Sequence, residues 1–314
     1  MNSRKFHPRE FIKKSIEEIG KRAREEKVIA ACSGGVDSTT ATFLAHMAVQ
    51  QHMLAVFIDD GMRREGEPEF VIEQFRTLRW RYKCVDTKNS FFEALKNKRD
   101  AEEKRKAFRE TFYKKLGEIA RDEGAKFLVQ GTIAADILET AGRIKTQHNV
   151  LRQIGIDSKQ YGFELIEPLR HLYKPQVRMV ASELGLPKEV SKRMPFPGPA
   201  LSVRVLGEVT PERVSILRKA TEIVEEETRN LNAFQSFAVL LSDKATGVKD
   251  GKRLYGDIVT IRVVESEDAI TASVIQVPYE TLFKMSQRIT SEISSVVRCL
   301  YDLTPKPPAT IEFE

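Results

Sequence analysis

One short segment has the residue types and spacing that phosphate chemistry requires. Residues 33–38 read Ser-Gly-Gly-Val-Asp-Ser and follow an apolar run, residues 28–32, that predicts a buried strand. A helix pattern follows, with Phe43, Leu44, Met47 and Ala48 on its apolar side. Adjacent glycines permit a sharp turn, and free N–H groups at a helix N-terminus attract anions. We therefore expect this segment, called the phosphate loop below, to bind phosphate through its main chain.

Asp37 decides how the phosphate loop is interpreted. A carboxylate repels phosphate, so its presence indicates a divalent cation between the two groups. The alternative is an ordinary strand-to-helix turn with Ser38 as a helix cap, which we would favour for Ser-Gly-Gly alone but not for all six residues. The segment lacks the spacing of the Walker loop and of the dinucleotide-binding glycine motif.

Other chain segments predict a sheet that positions this loop. Apolar runs at residues 53–58, 80–85, 126–130 and 163–166 predict further strands, with helical patterns between them. Such βαβ units make a parallel sheet, and ligands bind at the carboxyl ends of its strands. Asp136 follows the fourth strand. It is either a metal or substrate ligand or a solvated residue of a first helical turn.

Two charged stretches of this region receive different interpretations. Residues 102–106 lie in a charged helical pattern and predict an exposed face without function. Residues 140–161 are polar and show no apolar period, which is typical of a functional loop or of disorder. We expect this segment to act as a lid that brings Lys145 and His148 to phosphates.

The composition changes at residues 194–200, the Pro-rich loop, which has three prolines and a glycine. We place a domain boundary there, giving domains 1–193 and 194–314. The second domain predicts a strand at 201–206, a helix at 211–229, further antiparallel strands and a helix at 279–291, an α+β pattern. Residues 306–314, the tail, contain two prolines and end in an apolar-acidic run that predicts a docked segment.

Composition limits the class of protein. The 314 residues hold three widely spaced cysteines and have a net charge of +6. No apolar run approaches the ~20 residues of a membrane span, and we expect a cytoplasmic protein with reduced thiols. The basic charge fits either nucleic acid binding or phosphorylated substrates.

Several motifs, taken together, resemble one family. The phosphate loop is similar to that of the N-type ATP pyrophosphatases, which cleave ATP between its α and β phosphates. Five further stretches, in order along the chain, resemble signatures of the GMP synthetase family: residues 58–64, 130–136, 167–178, 193–204 and 306–312.

The resemblance implies a fold and a reaction. The expected fold is α/β, a five-stranded parallel doubly wound sheet like that of the adenine nucleotide alpha hydrolases, followed by a smaller α+β dimerisation domain. The family is a ligase that makes GMP from XMP, ATP and ammonia through an adenyl-XMP intermediate. ATP and Mg²⁺ are the expected cofactors. A homodimer and a separate class I glutamine amidotransferase subunit are the expected assemblies, with no nucleic acid or membrane partner.

The resemblance also implies roles for particular residues. Asp37, Lys145 and Lys174 are the expected catalytic residues, and Asp37 and Asp136 the expected metal ligands. The expected ATP-binding residues are Ser33, Gly34, Gly35, Val36, Asp37, Ser38, Val56, Phe57 and Ile58, the last three on the second strand at adenine. The expected XMP-binding residues are Pro197, Gly198, Arg288, Lys306, Thr310, Ile311 and Glu312. The lid departs from the family pattern at residues 147–155, which leaves the role of His148 open.

Three alternatives remain open on sequence. A tRNA-modifying enzyme can have the same loop, and the basic charge suits it, although paired cysteines are absent. Ammonia-dependent NAD synthetase shares the fold and the adenylation step but not the expected Pro-rich loop and tail. A binding module that has lost its chemistry is weaker still, because Asp37, Lys145 and Lys174 are all present.

Overall fold

A computed structural model describes residues 6–141, 151, 157–187, 190, 193–267 and 269–314. By its contacts the chain forms two compact units, one of residues 1–59, 67–87 and 108–193, and the other of residues 60–66, 88–107 and 194–314. The division is finer than domains 1–193 and 194–314, because two segments of the N-terminal half cluster with the second unit. One of them contains Lys104, whose side chain is buried with tail residues rather than solvated.

The first unit is built on a parallel sheet. Its strand order is β3-β2-β1-β4-β5, and every neighbouring pair is parallel. The strands are β1 (Lys27–Ala31), β2 (Met53–Asp59), β3 (Tyr82–Asp86), β4 (Ala125–Val129) and β5 (Glu164–Ile166). All seven residues of β2 are buried, as expected for a strand with both sheet faces covered. The predicted five-stranded parallel sheet is confirmed.

Helices connect these strands. Those with defined bounds are α1 (Pro8–Ala23), α2 (Val36–Val49), α3 (Glu67–Thr77), α4 (Lys88–Leu95), α5 (Ala101–Glu123), α6 (Ala134–Ala141) and α7 (Lys174–Glu183). The sheet has β2 and β3 on one side of β1, and β4 and β5 on the other. The strand order therefore reverses between β1 and β4, which is where ligands bind in open α/β sheets.

The second unit has a mixed sheet. Its elements include the helix Pro211–Glu227, β6 (Gln235–Lys249), β7 (Lys252–Glu265), β8 (Ser273–Val274), the helix Tyr279–Glu292 and β9 (Val296–Tyr301). β7 pairs antiparallel with β6 and β8 but parallel with β9. The wholly antiparallel prediction is wrong for β9, because the helix before it provides the crossover that a parallel strand needs.

Two further predictions for the second unit need correction. Residues 201–206 were expected to form a strand, whereas Ala200–Val203 form a 3-10 helix and only Val205 bridges to Leu240. The turn follows Pro199, and Ala200 has a φ of 55°, which no strand accommodates. The 102–106 stretch is not wholly exposed either, since Lys104 and Arg105 are buried.

Within the described part of the chain, none of the helices is both long and apolar enough to cross a membrane.

Candidate active site

The phosphate loop lies where the sequence predicts it, between β1 and the first turn of α2. Gly34 has a φ of 76°, which permits the sharp turn. Serine side chains bind across the loop: the Ser33 main-chain N–H donates to Ser38 Oγ at 3.2 Å, and Ser38 Oγ donates to Gly35 O at 3.1 Å. The loop is thereby held with its main chain at the N-terminus of α2, the geometry that attracts anions.

Glycine at position 34 is also required by packing. A Cβ built there would lie 2.5 Å from Val71 Cγ2 on α3, a separation that real Cβ atoms essentially never show. A second close approach occurs at the end of β4, where a Cβ on Gly131 would lie 2.6 Å from Ser38 N. The carboxyl ends of β1 and β4 therefore meet main chain to main chain, at the point where the strand order reverses.

Asp37 and Lys174 form the charged pair of this site. Lys174, the first residue of α7, donates from Nζ to Asp37 Oδ2 at 2.6 Å. Both side chains are partly exposed, so the pair is reachable from solvent. Asp37 Oδ1 is buried and accepts no hydrogen bond from the described residues. The structure thus brings together two of the three predicted catalytic residues, while Lys145 and His148 lie outside the described residues.

The thiol beside the loop is not a nucleophile. Cys32 is buried, and this burial raises the pKa of its thiol, so it stays protonated at neutral pH. Its Sγ lies 3.7 Å from Thr39 Oγ1, inside the core. The polar groups that this part of the rim offers are therefore main-chain N–H groups, hydroxyls, the Asp37 carboxylate and the Lys174 ammonium.

The predicted adenine residues on β2 are core residues. Val56, Phe57 and Ile58 are each at most 4% exposed. The carbonyl of Val56 already accepts from the main-chain N–H of Cys32 at 2.9 Å. An adenine contact at these residues stays a prediction, and it would have to use the end of the strand.

The predicted metal ligand Asp136 has a local structural role. Its Oδ2 accepts from the main-chain N–H of Ile133 at 3.0 Å, at the start of α6. That hydrogen bond matches the first-turn interpretation. Among the described residues no cluster of three or more His, Cys, Asp or Glu could enclose a metal.

A buried polar chain that sequence reasoning missed leads to the same rim. The Tyr113 hydroxyl donates to Gln130 Oε1 at 2.9 Å, Gln130 Nε2 to Thr132 Oγ1 at 3.2 Å, and Thr132 Oγ1 to Glu167 Oε1 at 2.8 Å. Burial raises the pKa of the Tyr113 hydroxyl, so that it remains a donor. The chain fixes the ends of β4 and β5, and with them Gly131.

The second unit holds its tail by buried cations. Glu312 accepts two bonds from Arg204, Nε to Oε2 and Nη2 to Oε1, both at 2.8 Å. Arg262 is fully buried and donates to the carbonyls of Thr310 and Ile311 at 2.8 and 2.9 Å. Lys306 Nζ donates to Ala269 O at 2.8 Å. The docked tail of the sequence prediction is what these bonds produce.

The end of the tail contacts α5. Lys104 Nζ donates to Glu314 Oε2 at 2.5 Å and to Val205 O at 2.7 Å, and Arg105 donates to the main-chain oxygen of Glu314. Burial lowers the pKa of Lys104 and raises that of Glu314, in each case as the largest effect. These bonds explain why two members of a charged helical stretch are not on the surface.

The Pro-rich loop has polar anchors too. Arg64 donates to Met194 O and Pro195 O at 3.4 and 3.3 Å, and its guanidinium lies 4.4 Å from the Phe196 ring centroid. Pro197 and Gly198, predicted at XMP, follow directly in this anchored loop.

Arg288 lies in an acidic cluster. Its guanidinium donates to Glu226, Glu227 and Glu292, each at 2.8 Å, and these hydrogen bonds raise its pKa, that from Glu292 most. A phosphate would have to compete with three carboxylates for this side chain. The XMP role of Arg288 stays a prediction.

Comparison with known proteins agrees with this geometry. The PP-loop domain model matches residues 8–187, and the model described as GMP synthase C terminal domain matches residues 222–313. A solved structure of NMN synthetase from Francisella tularensis aligns with 63% of this chain and 79% of that chain at a TM-score of 0.49 and 18% identity, a likeness too weak to support a conclusion.

Curated relatives match over nearly their full length. Three of them are the same subunit of glutamine-hydrolyzing GMP synthases from different organisms. That of Archaeoglobus fulgidus is 50% identical over 305 residues, covering 97% of this chain and 98% of the relative. That of Methanopyrus kandleri is 49% identical over 317 residues, with coverage of 98% and 100%. That of Thermococcus kodakarensis is 51% identical over 309 residues, with coverage of 97% and 99%.

The fold, the phosphate loop and the domain match define a PP-loop enzyme that uses ATP. The second matched domain and the relatives make the assignment particular. The chain belongs to the GMP synthase family, whose members are ligases, and it matches one separate subunit of the glutamine-hydrolyzing enzymes.

Proposed function

We propose that this chain converts XMP to GMP with ATP and ammonia, releasing AMP and diphosphate. The observation that supports this most directly is the Asp37–Lys174 pair at the phosphate loop, in a chain about 50% identical to curated GMP synthase subunits over nearly its full length. A carboxylate and an ammonium at a helix N-terminus suit a reaction in which diphosphate leaves.

The first step forms the adenylate. The 2-oxygen of XMP attacks the α phosphorus of ATP, the bond to the bridging oxygen of the β phosphate breaks, and diphosphate leaves. Main-chain N–H groups of Gly34 and Gly35 and the hydroxyls of Ser33 and Ser38 would hold the departing phosphates. Lys174 would neutralise their charge once its bond to Asp37 is exchanged for one to phosphate.

Magnesium fits one atom of this site. Asp37 Oδ1 lies beside the phosphate loop and has no hydrogen-bond partner among the described residues. Mg²⁺ commonly takes one or two carboxylates together with substrate phosphates. Asp136 is the other ligand that we propose, and it would have to exchange its bond to Ile133 for one to the metal. When bound, the metal would offset charge on the leaving diphosphate.

The second step replaces AMP. Ammonia attacks C2 of the adenylated XMP, the C2–O bond to AMP breaks, and the surplus proton of the new amine passes to solvent. For XMP recognition we propose the Pro-rich loop at Pro197 and Gly198 and the tail at Lys306, Thr310, Ile311 and Glu312. Lys306 offers a cation for a monophosphate.

We also propose two assemblies. A separate glutamine amidotransferase subunit would supply ammonia, since the curated relatives are themselves named as subunits of glutamine-hydrolyzing enzymes. A homodimer would form through the second unit. Large apolar side chains are exposed there, among them Tyr279, Phe283 and Leu303 at 78%, 53% and 74%.

Diphosphate release by the purified chain tests the reaction. The assay supplies ATP, Mg²⁺, XMP and an ammonium salt and omits each in turn. We expect release only with all four, with GMP and AMP as products, and no activity when glutamine replaces ammonium. XMP-independent release, or activity with glutamine alone, would contradict the proposal. If XMP has no effect, tRNA is the next substrate to test.

A further inference from the structure

The bonds of Glu312 raise a question that stability does not answer. Its carboxylate is 8% exposed and pairs with Arg204, which is 1% exposed. A buried ion pair contributes little net stability, because the desolvation of both charges offsets their attraction, and apolar residues of similar volume often serve as well or better. The pair is therefore better explained by what it orients than by what it stabilises.

The geometry around Arg204 orients one carboxylate in a single plane. Two parallel N–H···O bonds of 2.8 Å fix Glu312 relative to the guanidinium. The guanidinium is itself fixed by aromatic rings, lying 3.8 Å from the Phe237 centroid and 5.2 Å from the Phe196 centroid. Stacking of this kind suits arginine, whereas lysine has neither the planar group nor the fork of donors.

Arg204 also connects the two segments proposed to bind XMP. Phe196 belongs to the Pro-rich loop, and Glu312 belongs to the tail. A second side chain makes the same connection, since Gln235 Nε2 donates to Pro195 O at 2.9 Å and to Glu312 Oε1 at 3.2 Å. Two side chains from different parts of the fold thus fix the tail carboxylate relative to the loop.

We propose that Arg204, assisted by Gln235, is a positioning residue for XMP. It holds the Glu312 carboxylate in the orientation needed to accept from the purine ring N–H, and it keeps the tail in register with the Pro-rich loop. This inference rests on the proposed function. Arg204 does not contact the substrate; it acts through Glu312.

Steady-state kinetics of Arg204→Lys test the inference. The charge remains, but the double bond to Glu312 and the stacking are lost. We expect the KM for XMP to rise roughly tenfold to a hundredfold, the range for loss of hydrogen bonds to a charged group. The KM for ATP and the kcat at saturating XMP should each stay within about threefold, since the loss concerns XMP binding alone.

Two further variants separate positioning from general loosening. Arg213→Lys is the matched control: Arg213 is in the same unit and donates to the carbonyls of Leu206, Glu208 and Leu241, but not to the tail. It should lower the melting temperature with little change in the KM for XMP. Gln235→Met should raise that KM several-fold, and it replaces Arg204→Lys as the test if the latter does not fold.

Each outcome bears on a different claim. An unchanged KM for XMP in folded Arg204→Lys and in Gln235→Met would overturn the inference while leaving the reaction intact. An equal rise in Arg213→Lys would overturn it too, because the effect would then follow stability. If the wild-type chain shows no XMP-dependent turnover, the proposed function fails, and the inference fails with it.

Discussion

The phosphate loop and the tail present their polar groups by different means. In the loop, six consecutive residues turn the main chain onto a helix N-terminus, and the Asp37–Lys174 ion pair is added from α7. In the tail, nine residues are held by cations from distant parts of the sequence: Arg204 is 108 positions from Glu312, and Lys104 is 210 from Glu314. The loop is a local structure, and the tail is a tertiary one.

This difference predicts where single substitutions act. A change in the loop should alter catalysis more than stability, because its ion pair is partly exposed and its anion site is made of main chain. A change in the tail should alter stability strongly, because it leaves a buried charge without its partner. The substitutions below test that contrast, starting with the largest expected effect.

Glu312→Gln should have the largest effect. It removes the charge that compensates Arg204 in an environment closed to water, and the loss of one partner of a buried pair costs about 3–5 kcal/mol. Urea denaturation should detect this as a lower midpoint with an unchanged slope. The double variant with Arg204→Met removes both charges and should recover part of the loss. If the two single effects simply add, the pair is not energetically coupled.

Asp37→Asn should reduce adenylation by roughly 10²–10³-fold, the range for loss of one electrostatic contact in a transition state. Its stability cost should stay near ~1 kcal/mol or below, since the Lys174 pair is partly exposed. XMP-dependent diphosphate release and thermal melting measure the two effects. Asp86→Asn, an exposed carboxylate at the end of β3, is the matched control and should retain activity. Wild-type turnover in Asp37→Asn would exclude the proposed metal role.

Gly34→Ala combines strain with a clash. The φ of 76° is costly for alanine, and the added Cβ would meet Val71 Cγ2 at 2.5 Å. We expect a loss of about 1–3 kcal/mol and a larger KM for ATP. Gly124→Ala is the control: its φ of 65° is also positive, but no atom lies within 4 Å of the added Cβ. Equal effects in both variants would mean that strain alone matters and that packing on α3 does not.

The same contrast explains what sequence could predict. The phosphate loop was predictable because its glycines, its carboxylate and the flanking strand and helix patterns are contiguous. The apolar side of α2 was predicted less well: Leu44 is buried, but Met47 is 44% exposed, because buried threonines and alanines on the helix fill the sheet side instead. Periodicity of large apolar residues misses a helix face made of small ones.

Long-range pairing was not predictable. Lys104 has the surroundings of a solvated helix face in sequence, and only the docked tail makes it a core residue. Arg204 ends a recognised motif, yet nothing near it indicates that its partner is Glu312. The resemblance assigned Glu312 to a purine N–H without showing that its carboxylate is already held by a guanidinium. Side chains whose partners are a hundred residues away require the fold before their role can be stated.

Glu227 provides the smallest effect and the sharpest limit on the contrast. Its carboxylate accepts from Lys284 and Arg288 at 2.8 Å each, and these two side chains, Lys284 more strongly, lower its pKa below the ordinary 4.5. Stability from a lowered carboxyl pKa is present above the unfolded value and is lost as pH falls through the folded one. Glu227→Gln should therefore cost less than about 1 kcal/mol at pH 7, because Lys284 and part of Arg288 are in solvent.

The difference between wild type and Glu227→Gln should narrow as the pH falls below about 4.5. Urea denaturation between pH 7 and pH 3 measures this, with Glu280→Gln, an exposed carboxylate of the same helix as Arg288, as the control. A difference that persists to pH 3 would contradict the electrostatic cause. A cost at pH 7 as large as that of Glu312→Gln would contradict the contrast between the two regions, since burial would then not be what separates an arginine–glutamate pair in the tail from one on the surface.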